Sequence, residues 1–137
     1  MSKVGFRMPS NAVFFNSKEI EDHVQKAEQK VLSRFGFFTR KDAKSSMRRR
    51  AKGPSDPGKT PRVVTGLLKN FIFFSYDKFK QSVVTGPARL TGFKNAGEAL
   101  PALEYGSANI EARPFMNPAF ERQLDEHMPE LWKNSIV

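Results

Sequence analysis

The sequence predicts an α+β fold: a long N-terminal helix packed on a small antiparallel β-sheet, a short C-terminal helix and an extended Pro/Gly-rich arm. Three observations predict it. Ile20, Val24, Ala27, Val31, Phe35 and Phe38 recur at three- and four-residue steps and make one apolar stripe. Two β-rich runs, NFIFFSY and QSVVT, flank the turn residues DKFK. Near the other end Asn117-Pro118 reads as a capped helix start, because Asn accepts a backbone N–H and proline at the first position lacks only a donor that would go unused.

At 137 residues the chain is read as a single domain, 1–137, with 53–65 and 88–100 as loops or inter-subunit arms. Thirteen Phe provide for an apolar core. No run approaches the roughly 20 apolar residues that span a bilayer, so no membrane partner is expected. The opening MSKVGFRMPSN has no apolar h-region, and no signal peptide is expected either. Zero Cys excludes disulfides, thiolate metal sites and Cys nucleophiles. Charge is distributed unevenly. Between Arg34 and Lys69 eleven basic residues face Asp42 and Asp56, which accounts for the whole formal charge of +9. Such a block is a footprint for nucleic acid or an acidic protein surface, or else a solubilising arm.

The elements follow in order. Ala12–Phe15 offers a short strand. Asn16 with Glu19 has capping-box spacing, and Glu19, Glu21 and Asp22 suit the positive end of a helix dipole. The helix is expected from about Ser17 to about Arg50, with Gly36 as an end or bend. GPSDPGKTPRVVT, with three prolines and two glycines, is a loop or arm. Asn70–Tyr76 and Gln81–Thr85 form an antiparallel hairpin stopped by Gly86-Pro87, its first strand apolar on both faces and expected to be covered on both. Residues 88–100 form a loop, Ala102–Tyr105 a short strand and Ile110–Arg113 another. The last helix runs from Pro118 to about His127, Pro129 breaks or restarts it, and Leu131, Trp132 and Ile136 pack the tail back.

No constellation for catalysis emerges, and neither a cofactor nor a metal is expected. His23 and His127 lie far apart, each without a second ligand at metal-binding spacing. No Ser stands in G-x-S-x-G. The string GPSDPGKT formally fits the phosphate-binding loop G-x-x-x-x-G-K-[ST], but Pro54 and Pro57 delete N–H donors from a loop whose work is to offer them. A helix also precedes it where a strand should.

Four short motifs in order carry a resemblance. They are Thr65, Gly66 and Leu68; Gly86 and Pro87; Glu104, Tyr105 and Gly106; and Ala112, Arg113, Pro114 and Phe115. Over about Ser17 to Ile136 the chain resembles the neck and tail-completion proteins of tailed bacteriophages, the Hong Kong phage gene-ten-like tail-component family, related in role to the lambdoid minor tail protein Z. The resemblance implies a non-catalytic structural protein of the virion, assembled in the host cytoplasm as a ring at the head–tail junction. Its partners would be other copies of itself, neighbouring neck and tail proteins, and genomic DNA in the channel. It gives Thr65, Gly66, Leu68, Glu104, Tyr105, Gly106, Arg113, Pro114 and Phe115 the part of interface or structural motif. Arg113 either anchors Glu104 or a neighbour's carboxylate or is a solvated Arg before a rigid turn. The long basic segment departs from the family pattern. Arg40, Lys41, Lys44, Arg48, Arg49, Arg50 and Lys52 are the candidate contacts to DNA or an acidic surface. The competing reading is a small basic nucleic-acid-binding protein that uses helix 40–52 against phosphates.

Overall fold

The computed structural model describes residues 16–48, 53, 55–63, 66–88 and 96–135, with backbone only at 67 and 96–99. The expected strand at Ala12–Phe15, the packing of Ile136, and the motif or basic residues Arg49, Arg50, Lys52 and Thr65 lie outside them. The fold is α+β. Helix α1 (Ser17–Ser46) and α2 (Leu67–Asn70) precede strands β1 (Ile72–Asp77) and β2 (Ser82–Pro87). Three more helices follow: α3 (Ala96–Tyr105), α4 (Met116–Glu126) and α5 (Met128–Lys133).

Helix α1 is the spine. Its 30 residues span about 45 Å. Gly36 does not end it, and its missing side chain leaves room for a close approach of the sheet. A Cβ there would stand 2.6 Å from Val83 Cγ2 and 3.0 Å from Phe74 Cδ2. One residue earlier Phe35 meets Phe120 of α4 edge to face, with ring centroids 5.5 Å apart. The helix therefore takes the hairpin on one side and α4 with α5 on another. It ends at Ser46, short of the expected Arg50. The Ser45 and Ser46 hydroxyls donate back to the carbonyls of Asp42 and Ala43, offering the last turn an alternative to further helix. Met47 then turns extended and is fully buried, and the Arg48 carbonyl accepts the Val63 N–H at 3.0 Å.

The hairpin is antiparallel, in register from Ile72 opposite Pro87 to Asp77 opposite Ser82. Gly86-Pro87 closes its last pair rather than stopping it short, and Asn70 belongs to α2. Asp77 Oδ1 accepts the N–H groups of Phe79 and Lys80, which shapes the turn. Contrary to expectation, the strand is covered on one face only. Ile72 is buried and Phe74 and Tyr76 are half-buried, while Phe73 on the other face is 48% exposed and Val84 beside it 66%. Alternation thus returns in the structure even though the sequence is apolar at both parities.

The core comprises Ala43, Met47, Val63, Ile72, Phe115 and Ala119, with Leu68, Leu103 and Met116 packed around it. Val63 brings the end of the Pro/Gly-rich arm into this core. The bidentate pair of Arg122 with Asp42, at 2.9 and 3.1 Å, fixes α4 to α1, and the Gln123 amide donates to the same carboxylate.

Two predicted strands are not strands. Ala102–Tyr105 is the last part of α3, which also takes up the second half of the 88–100 loop. Ile110–Arg113 is irregular chain after a tight turn at Ser107–Ile110. In AGEALPALEY, Ala, Leu and Glu are strong helix formers, and they prevail over Gly97 and Pro101. Helix α4 begins at Met116, two residues before Pro118, so Asn117 lies inside it and caps nothing. Pro129 restarts the chain as α5, in a first-turn position where it is tolerated.

Candidate functional site

The two most distinctive motifs, Glu104-Tyr105-Gly106 and Ala112-Arg113-Pro114-Phe115, fold into one knot. The Glu104 carboxylate caps α4 from eleven residues upstream. Its Oε2 accepts the N–H groups of Phe115 (3.0 Å) and Met116 (3.1 Å), and its Oε1 accepts that of Asn117 (2.8 Å). A carboxylate at the positive end of a helix, taking three otherwise orphaned donors, is a strong arrangement. Gly106 makes the return possible. Its φ of +83° is left-handed, and a Cβ there would meet the Ala112 nitrogen at 3.2 Å. The Arg113 N–H then closes on the Leu103 carbonyl at 2.6 Å.

Arg113 does not pair with Glu104. Its Nε donates to the Ser55 carbonyl at 3.0 Å, and the Gly58 N–H donates to the Ala112 carbonyl at 2.8 Å. The guanidinium therefore holds the arm, while the carboxylate, already saturated by backbone donors, holds the helix. Tethered at Ser55, Gly58 and Val63, the arm lies against its own body and exposes Asp56–Lys59 at its tip. Two N–H groups that a phosphate-binding loop would offer are engaged, that of Gly58 with Ala112 and that of Lys59 with the Asp56 carbonyl.

Of the motif residues, Phe115 is in the core, Leu68 packs against it and Pro114 is half-buried. Gly66, at φ +76°, introduces α2 and accepts the Asn70 N–H. Tyr105 projects from the surface beside an apolar cavity of about 360 Å3 between the end of β2, α3 and the start of α4; Pro87, Pro101 and Met116 line it.

The described residues of the basic segment do not form one strip. Arg40 donates its Nε–H to the Ile72 carbonyl at 2.7 Å and lies 5.8 Å over the Phe73 ring, so it joins α1 to β1. Lys44 is half-buried; desolvation, then the neighbouring Arg40 charge, hold its ammonium below the usual lysine range. Lys41 and Arg48 are exposed, Arg48 beyond the helix end. Arg40→Ala is expected to cost about 1–2 kcal/mol, read as a lower urea midpoint, with Arg40→Lys recovering under half because an ammonium has no Nε fork.

The sequence reading missed the exposed apolar side chains of the hairpin. Phe73 and Val84 form a patch on its outer face, and Phe79 stands fully exposed at its tip. Strand alternation would have placed Phe73 and Val84 together; only the packing tells which face is bare. Among the described residues no group of three His, Asp or Glu is placed to hold a metal ion, and no helix is long and apolar enough to cross a membrane. Comparisons with protein-family models, curated proteins and solved structures return no match.

Proposed function

We propose that this chain is a structural protein of a tailed-phage particle that assembles with copies of itself as a ring at the head–tail junction. The observation that carries the reading is the uncovered apolar face of the hairpin. A two-stranded sheet is marginal alone, and one that leaves Phe73, Val84 and Phe79 to solvent gains from a neighbouring subunit. A ring needs such a patch to meet a different surface next door. The knot supports the reading by fixing where Tyr105 and the arm tip stand on that surface. For the competing basic-helix reading, α1 stops at Ser46 and Arg40 is engaged with the sheet, while Arg49, Arg50 and Lys52 lie outside the described residues.

Purified particles of the phage that encodes the chain are expected to contain it, by mass spectrometry, and cryo-EM is expected to show it as a ring between head and tail. Its absence from particles, with the pure protein monomeric at all concentrations, would overturn the reading.

A further inference from the structure

Four cationic side chains from three separate stretches of chain converge on one polar cavity. It opens where the end of α1, the arm and α4 meet, encloses about 480 Å3, and is edged by Arg48, Lys59, Arg62 and Arg122. Asp56 is the one carboxylate among its described lining residues, and the Ser46 side chain lies beside it. Gathering like charges in a concavity raises their mutual repulsion, and against these four cations Asp42 pairs with Arg122 and Asp56 with Lys59. Arg48 is exposed and makes no ion pair among the described residues. Arg122 spends Nε and Nη2 on Asp42, which orients the guanidinium and leaves Nη1 outside that pair. Lys59 meets Asp56 at 3.4 Å with both side chains three-quarters exposed, a weak pair that an incoming anion displaces readily.

We infer that this cavity is a phosphate site, which takes a phosphate of a nucleic-acid backbone or a free phosphate or pyrophosphate ion. Recognition is by side chains, since the Gly58 and Lys59 N–H groups are already engaged within the chain. Arginines suit this chemistry because their planar forks give paired N–H donors to phosphate oxygens. The site does not depend on ring assembly. It is present within one subunit and is testable on a monomer.

The test uses the full chain with two probes, a labelled 20-base-pair DNA duplex followed by fluorescence anisotropy across a salt series, and pyrophosphate by calorimetry. Arg48→Glu with Lys59→Glu is expected to weaken duplex binding at least about tenfold and to flatten the log–log salt slope by about 1 or 2. Lys30→Glu with Lys133→Glu changes the net charge equally at exposed positions elsewhere and is expected to stay within about twofold. Asp56→Asn is expected to tighten binding, a gain that misfolding cannot mimic. Duplex binding that pyrophosphate competes away assigns the site to backbone phosphate, whereas pyrophosphate binding alone assigns it to a free anion. Equal loss in the two charge-reversed pairs, no gain in Asp56→Asn, or no binding of either probe at about 50 mM salt overturns the inference.

Discussion

Replacing Glu104 by alanine is expected to destabilise the protein by about 3 kcal/mol. The carboxylate accepts three N–H groups at the start of α4, and hydrogen bonds to a charged acceptor contribute about 1.5–3 kcal/mol each when both partners are shielded. Discounting the exposed Asn117 end and allowing water to reach part of the cap leaves about 3. Glu104→Gln keeps a single acceptor oxygen and should lose about half as much. Urea titration of the three proteins measures the differences, and amide hydrogen exchange at Phe115, Met116 and Asn117 localises them. A loss below about 1 kcal/mol for alanine would mean that α4 is held by Phe115 and Ala119 burial alone.

The second large effect is expected at Gly36. Leucine there should cost about 3 kcal/mol, because the added atoms fall where Val83 and Phe74 already stand and neither β2 nor the Phe74 ring can retreat far. Alanine is a milder case. It gains about 1 kcal/mol of helix propensity but sets a Cβ 2.6 Å from Val83 Cγ2, so a net loss of about 1 is expected. Pairing Gly36→Ala with Val83→Ala separates the two terms. If the close contact is the cause, the double variant is more stable than the sum of single losses predicts, and additive losses would remove that explanation.

Both positions show why the sequence was legible in some places and opaque in others. The stripe of α1 from Ala27 to Phe38 and the two runs of the hairpin are local patterns that survive folding, whereas Ile20 and Val24 of the same stripe stay exposed. The end of α1 was overextended because TRKDAKSSMRRRAK contains no breaker, while the competing Ser45 and Ser46 hydroxyl bonds and the burial of Met47 are matters of packing. The cap of α4 was assigned to Asn117 by adjacency, but the group that caps it comes from α3. No spacing rule links residue 104 to residues 115–117; only the left-handed turn at Gly106 brings them together. The expected Arg113–Glu104 pair failed for the same reason, each side chain having a backbone partner that sequence distance concealed. Among the basic residues the sequence located the charge but not its division of labour. Arg40 belongs to the sheet, and the concave cluster draws on Lys59, Arg62 and Arg122, which no run of consecutive cations would have grouped with Arg48.

The position of α1 has a consequence for local stability. Every side chain from Asn16 to Lys26 is exposed, and the first fully enclosed one is Val31. About 15 Å of helix thus projects like the unsupported end of a cantilever, sustained by its own ladder of amide bonds and by little else. Protection from hydrogen exchange should fall in steps from Val31 toward Ser17, and those outer turns should open without disturbing the rest. A binding surface made from them would be cheap to reshape, since straightening, bending or unwinding it exposes no buried side chain.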